Sequence, residues 1–472
     1  AGTTWRLGDI VHATPIVVSR PAERFQQLYN DANYAQFLEL FRDRETMIYV
    51  GANDGMLHAF TNWQYQEDSS GNPSYVKPAA AGADELIGDE VWAYIPQAVL
   101  PHLKWYGLSD YTHTYFVDGE PRVFDAEILD NNTYYNSTSG KNYGTFLVVG
   151  LGMGGKLIDL NSDIDGDGSD DTMSPTYVMM EITNPREPRL VWERTYENMG
   201  MSYSVPAPVR VGDEWYLVFG SGPSEYDGTS SNGGYIYVVD MRTGAPVGTD
   251  DWRWGELKAG GTAYFSDPMA LDIFQSANAD AVYLANNYYD GGWRSDILKI
   301  AVPCATDHCP WDNVSDDQIV YDSDPANWRL QTFFQSDRPV SVKLASSTDP
   351  LDNVLLYFGT GRYLEDSDKS TTDQNYLYGV KDPFYNKAKY ENQNGSYYHD
   401  FNSNLTLDRD ALFQSDDVVV TTEGYVSGLA SGADQEFSTF LNDIRLNEDG
   451  WALSLITNSP DPSERIITRS AI

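Results

Sequence analysis

Basic residues are scarce in this chain: 31 Lys and Arg stand against 70 Asp and Glu in 472 residues, a formal net charge of −39. Nucleic acid needs a basic face to neutralise its phosphates, so that class of partner is excluded, and anionic membrane surfaces are disfavoured on the same ground. Cysteine is almost absent. Cys304 and Cys309 are the only two, and a disulfide between them would be a small local staple in an oxidising compartment. Two reduced thiols are the alternative, and His308 between them would need further ligands to make a metal site. No run approaches the ~20 apolar residues required to cross a bilayer. A signal peptide of the usual design is missing at Ala1, so the sequence reads as a mature or excised piece of something larger.

Aromatic residues are abundant, at 13% of the chain with 33 Tyr and 12 Trp. They favour pleated, half-buried strands and argue against disorder. Short apolar runs ending in a small residue recur: Ile48–Gly51, Leu147–Gly150, Leu217–Gly220, Val282–Ala285 and Leu356–Gly359. Each is followed by a turn and a second run, at Met56–Phe60, Lys156–Leu160, Tyr235–Asp240, Asp296–Ala301 and Tyr376–Val380. These pairs predict β-hairpins. They recur roughly 65–100 residues apart, more than the ~40–50 of an ordinary propeller blade.

The expectation is an all-β fold: one β-propeller over 1–472 with about six or seven irregular blades, helical and loop insertions, and a last blade left incomplete at Ile472. The insertions are expected near 20–45, 61–88, 302–336 and 383–448. A β-sandwich is the structural rival. Tyr34, Phe37, Leu38 and Phe41, and again Phe437, Phe440, Leu441 and Ile444, follow helical spacing and predict two one-sided helices packed on the sheets. The polar stretches 64–82, 367–374 and 385–410 read as surface loops.

The sharpest chemical signal is an aspartate-rich loop. Asp163, Asp165 and Asp167 alternate, Gly168 takes the sixth position, and Asp171 the ninth. Alternating carboxylates present oxygens to one concavity, a glycine permits the sharp turn, and the Ser169 carbonyl can supply a seventh-position ligand. The twelfth position is Ser174 rather than Glu, so Asp171 is expected to close a shorter loop between two strands. Carboxylates this close repel one another unless a cation intervenes, and a hard, geometry-tolerant dication, Ca²⁺, fits the donor set. A solvated acidic turn is the plain alternative.

Other chemistry is poorly supported. Ser221 lies in Gly220-Ser221-Gly222, which is not a nucleophile elbow. His12, His58 and His113 show no paired acid or nucleophile at diagnostic spacing, and His58 reads as a packed strand residue. Tyr235–Gly244 has the look of a quinoprotein blade end, which makes a calcium- and quinone-dependent dehydrogenase propeller the enzymatic rival. The motif occurs convincingly once, however, and the cysteines are not adjacent. Tyr288, Tyr289 and Trp293 could stack on sugars or simply pack. Arg-Gly-Asp does not occur, and the Asn136–Thr138 sequon is expected to stay unmodified.

Gly8–Pro15, Met47–Phe60, Leu355–Leu364 and Gly450-Trp451, in that order, resemble the C-terminal β-propeller of the PilC/PilY family of type IV pilus tip-associated adhesins and biogenesis factors. The resemblance implies a non-enzymatic extracellular protein, at the pilus tip or outer membrane of a Gram-negative bacterium. It also implies a Ca²⁺ site at Asp163, Asp165, Asp167, Ser169 and Asp171, partners among minor pilins and host or abiotic surfaces, and a part in pilus extension against retraction. The N-terminal half usual in full-length members is not in this sequence.

Overall fold

The structure, a computed structural model, describes residues 7–78, 80–82, 84–159, 163, 168, 172–173, 175–248, 255–258, 261–302, 321–351, 353–383, 406–416, 418–429, 432–456 and 463–468. The two cysteines lie outside them. Two compact units are distinguished: the first holds residues 1–225, 235–255 and 275–277, the second 226–234, 256–274 and 278–472.

The first unit carries three antiparallel meanders. Ile16–Val18, Met47–Gly51, Leu57–Thr61 and Glu90–Tyr94 make one; Arg122–Asp130, Lys141–Gly150, Tyr177–Glu181 and Arg189–Arg194 make the next; Ala207–Val211, Glu214–Gly220 and Ile236–Asp240 make the third. The second unit carries two larger sheets and a short three-stranded meander of Val419–Val420, Tyr425–Ser427 and Gln435–Glu436. In the fourth sheet Thr262–Phe265 and Met269–Leu271 both pair with Ala281–Tyr289, followed by Trp293–Ala301 and Arg329–Ser336, with Leu407–Asp408 parallel at the edge. The fifth orders Ala345–Thr348, Val354–Gly359, Tyr376–Lys381 and Gly450–Ser454, with Phe413–Gln414 parallel at its edge. Five larger sheets and one short three-stranded meander therefore lie among the described residues, where the hairpin spacing leads to about six or seven blades; much of the extra spacing is taken up by the connections.

The hairpins at 47–61, 214–240, 281–301 and 354–381 form as their patterns predict. Leu147–Gly150 does not pair with Lys156–Leu160. Its strand, Lys141–Gly150, is flanked instead by Arg122–Asp130 and Tyr177–Glu181, while Ile158–Asp159 pairs with Thr172–Met173 in a separate ribbon. A strand buried along nearly its whole length is best satisfied by long apolar neighbours, and 156–160 offers only a short one. The polar stretch 64–82 also departs from expectation. Gln64–Glu67 and Pro73–Val76 pair as a hairpin, whose turn is closed by Asp68 accepting from the Ser70 and Asn72 amides at 2.8 and 2.9 Å. In 367–374 a short 3-10 helix, Asp366–Ser370, is fixed by a capping box between Glu365 and Asp368. Arg329–Ser336, inside a stretch expected to be an insertion, is a strand.

Both helices appear. Ala32–Phe41 is capped by Asp31, which accepts from the Tyr34 amide at 2.9 Å and whose other oxygen takes the Tyr143 hydroxyl at 2.7 Å. Tyr34 and Phe37 are buried in the cluster formed by the second and third sheets, with Leu38 and Phe41 packed at its margin. Phe437–Asn447 presents a half-buried stripe, Phe440 meeting Phe413 at 5.4 Å. Buried Lys381 donates to the Ile444, Arg445 and Glu448 carbonyls at that helix's C-terminal end, where a cation is favoured.

The glycines that end the first two apolar runs have a packing reason. Gly51 ends the second strand of the first sheet, and a Cβ there would lie 2.3 Å from the Val117 carbonyl oxygen, on the segment that leads into the second sheet. Gly150 repeats the arrangement against Ser202, which leads into the third, also at 2.3 Å. Gly154 is tighter still, 1.9 Å from the Phe116 carbonyl oxygen. Gly154→Ala should therefore destabilise the domain by about 2–3 kcal/mol in urea unfolding. Gly107→Ala, where a Cβ meets nothing within 4 Å, should leave the midpoint nearly unchanged. Equal midpoints for the two variants would show that the crossing is not close-packed.

Candidate metal loop and the histidine-pinned N-terminal segment

The acidic loop is rooted in a buried turn where backbone approaches backbone closely. Gly152–Gly155 forms a buried 3-10 turn after the strand Lys141–Gly150. The Leu151 amide donates to Ser202 Oγ at 2.8 Å and the Gly152 amide to the Ser202 carbonyl at 3.1 Å. From this anchor the chain enters the ribbon, in which Ile158 pairs with Met173 and Asp159 with Thr172. The loop is thus a strand-to-strand excursion, as the missing twelfth-position carboxylate suggests. Lys156, just before the ribbon, is ion-paired with Glu225.

Of the expected ligands, Asp163 is described; Asp165, Asp167, Ser169 and Asp171 lie outside the described residues. Asp163 is exposed, and its Oδ2 accepts from the Gly168 amide at 3.0 Å. Gly168 has φ +93°, a conformation that strongly favours glycine. The first carboxylate of the motif thus meets the sixth-position backbone amide. Among the described residues no group of three or more His, Cys, Asp or Glu is assembled to hold a metal.

Each of the three histidines has a paired acid, though none at a diagnostic spacing, and His58 is a packed strand residue as expected. His58 is buried in the strand Leu57–Thr61, with Nε2 3.0 Å from Asp54 Oδ1 and Nδ1 2.8 Å from Glu90 Oε1. His12 Nδ1 meets Asp118, and His113 Nε2 lies 2.8 Å from Asp9. The three pairs converge on one segment. Asp54 also accepts from the Gly8 amide at 2.8 Å, Asp118 accepts from the His12 amide at 3.1 Å, and Asp9 gives its carbonyl to the Asn53 amide at 3.0 Å. Residues 8–12 are pinned to the turn after Gly51 and to the segment around Asp118. Sequence reasoning could not find this, because most partners lie tens of residues away and the nearest, Asp54, sits at an uninformative spacing across a turn.

Two carboxylate acceptors require both His58 nitrogens to be donors, hence an imidazolium. Burial alone would lower its pKa, but the hydrogen bonds to Asp54 and Glu90 outweigh that and hold it above the ordinary value. Asp54 is affected oppositely: burial raises it, while bonds from His58 and the Gly8 and Met56 amides bring it below the usual carboxylate value. At His12 the bond to Asp118 raises the pKa against burial.

A family model described as the PilY1 beta-propeller domain matches residues 7–417. The chain belongs to that family. The type IV pilus biogenesis factor PilY1 of Pseudomonas aeruginosa strain UCBPP-PA14 is 26% identical over 98% of this chain and 36% of its own length. PilY1 of strain PAO1 is 25% identical over 80% of this chain and 28% of its own length, and a PilY1 homolog of Xylella fastidiosa is 29% identical over 50% and 16%. The chain thus spans only about a quarter of the curated relatives it matches. Among solved structures, the crystal structure of the P. aeruginosa PilY1 C-terminal domain aligns with a TM-score of 0.57 at 20% identity, covering 96% of this chain and 80% of that one. The fold is accordingly all-β, a PilY1-type β-propeller domain. Among the described residues no helix is long and apolar enough to cross a membrane.

The His58 pairing has a signed pH dependence. A raised folded-state pKa contributes stability that is complete below the unfolded value of ~6.5 and is lost as pH rises through the folded value. His58→Gln should therefore cost most at about pH 6 and progressively less as the pH rises through the folded value in urea unfolding. A gap between wild type and variant that does not change with pH would mean that His58 is held neutral.

Proposed function

We propose that this domain is a non-catalytic calcium-binding propeller of a type IV pilus-associated protein. It acts outside the cell, at the pilus tip or outer membrane of a Gram-negative bacterium, and supports pilus extension against retraction and attachment to surfaces. Minor pilins and host or abiotic surfaces are the partners this reading implies. The observation that carries the calcium reading is the turn at 163–168, where Asp163 accepts from the Gly168 amide and Gly168 adopts its left-handed conformation.

Asp163, Asp165, Asp167, the Ser169 carbonyl and Asp171 would hold the ion. A bound dication would supply the positive charge that relieves repulsion among four carboxylates. The chain's own residues do the rest. The Ile158–Met173 ribbon fixes the loop ends, and the Gly152–Gly155 turn, hydrogen-bonded to Ser202, ties that ribbon to the sheet. Ordering of the loop biases the pilus apparatus only as far as its two states differ in affinity for the ordered form.

The surroundings of the rival catalytic groups favour the non-enzymatic reading. Ser221 is fully buried, and its Oγ accepts from the Tyr235 amide at 3.0 Å. His12, His58 and His113 are each engaged by a carboxylate, and those of His12 and His58 also fix backbone amides. The quinoprotein-like end at Asp240–Gly244 is a packed turn: Asp240 Oδ1 accepts from the Thr243 amide at 2.8 Å and the Thr243 hydroxyl at 2.6 Å, and Trp192 and Tyr196 donate to the Met241 and Gly244 carbonyls at 2.9 and 2.8 Å.

Calorimetric titration tests the assignment. The wild-type domain should bind one Ca²⁺ with a dissociation constant of about 10⁻⁴–10⁻³ M, and Asp165→Ala should weaken binding at least about tenfold while leaving the circular dichroism spectrum intact. Equal affinity in the two proteins, or no binding to wild type at millimolar calcium, would remove the calcium site and with it the calcium-controlled function.

A further inference from the structure

Within the second unit, one charged pair has no counterpart in the features described so far. Lys299 lies in the strand Trp293–Ala301 of the fourth sheet, opposite Tyr283 on one side and Gln331 on the other. Asp382 directly follows the strand Tyr376–Lys381 of the fifth sheet and is fixed there by its amide, which donates to the Val354 carbonyl at 2.9 Å. Lys299 Nζ is 2.7 Å from Asp382 Oδ2, with the two side chains only 1% and 2% exposed. The Tyr283 hydroxyl donates to the same oxygen at 2.5 Å. Tyr283 is itself fully buried, packed edge-on against Phe333 in a cluster with Leu356, Phe358 and Val380.

We propose that Lys299 and Asp382 are the reacting pair of a self-catalysed isopeptide bond that joins the fourth sheet to the fifth. The amine lies within hydrogen-bonding distance of the carboxyl oxygen that the reaction would expel, and both groups are held on or beside paired strands in a site that excludes water. Two charges buried this deeply are costly unless strongly compensated, and passing the ammonium proton to the carboxylate yields a neutral amine beside a neutral acid. Burial supports this by lowering the Lys299 pKa, against the attraction of Asp382 and, further off, Asp280. Asp280, pushed up to about 6 by burial, is the other carboxylate that acts on the amine. Its oxygens are occupied by the Ile273 and Phe274 amides and the Tyr321 hydroxyl.

In the reaction the Nζ lone pair attacks Cγ of the protonated Asp382 carboxyl. A C–N bond forms, the C–O bond to Oδ2 breaks, and that oxygen leaves as water with the carboxyl proton and one amine proton. The Tyr283 hydroxyl, already bonded to this oxygen, supports its departure. Nothing is oxidised or reduced, no co-reactant is consumed, and both buried charges are replaced by one neutral amide.

Intact mass spectrometry of the reduced wild-type domain decides the matter, independently of the calcium reading. The mass should fall about 18 Da below that of the sequence, and a digest should contain one species joining the Lys299 and Asp382 peptides. Lys299→Arg should restore the full sequence mass. A wild-type mass equal to that of the sequence would overturn the proposal and leave a non-covalent ion pair. A deficit without the joined peptide, or one that persists in Lys299→Arg, would overturn it equally.

Discussion

The close approach of backbone to backbone at the ends of the second strands is the constraint on which the first unit depends. Gly51 and Gly150 end strands where the chain leading into the next sheet passes over them, and there is no room for even a methyl group. Because the chains come this near, backbone groups of successive sheets can bond directly. The Asp118 amide donates to the Leu151 carbonyl at 3.1 Å and the Gly152 amide to the Ser202 carbonyl at 3.1 Å. These joints place the Gly152–Gly155 turn, and that turn places the root of the acidic ribbon. A buried backbone group left without a partner costs about as much as a lost hydrogen bond, so the crossings are held at both ends of that requirement.

A second regularity follows from the shortage of cations. With far fewer basic than acidic residues, buried or half-buried carboxylates are often satisfied by phenols. Tyr34 donates to Asp125 at 2.7 Å, Tyr143 to Asp31 at 2.7 Å, Tyr134 to Glu181 at 2.6 Å and Tyr283 to Asp382 at 2.5 Å. Tyrosine suits this role, because its ring fills the apolar interior while its hydroxyl donates to the charge. The abundance of tyrosine and the acidity of the chain are therefore linked inside the fold as well as on its surface. The histidines extend the same logic, His12 and His58 each spending a donor on a carboxylate that also holds backbone.

The hairpins were legible because their cause is local: alternating burial, a small residue at the crossing, and a turn. The helix at 32–41 was legible for the same reason, its stripe and its Asp31 cap lying within a dozen residues. What could not be read is whatever depends on distant partners. The strand Lys141–Gly150 took neighbours from before and well after it rather than from 156–160, and a period of two carries no information about which strand lies alongside. The hairpin at 64–76 was hidden because its residues are mostly polar and its closure depends on one Asp68 side chain. In the acidic loop, spacing pointed to the turn that Asp163 and Gly168 make. The carboxylate partners of His12 and His113 belong to segments about a hundred residues away, beyond any local pattern.

The glycine joints bear on how far such a domain can diverge. A contact made by backbone atoms across a missing side chain asks nothing of the residues around it beyond the absence of a Cβ at one position. Side chains elsewhere in the sheets can be exchanged, and the connections lengthened, without altering how one sheet meets the next in the first unit. A shared fold at 20% identity with the PilY1 C-terminal domain is what drift under so sparse a requirement would leave behind.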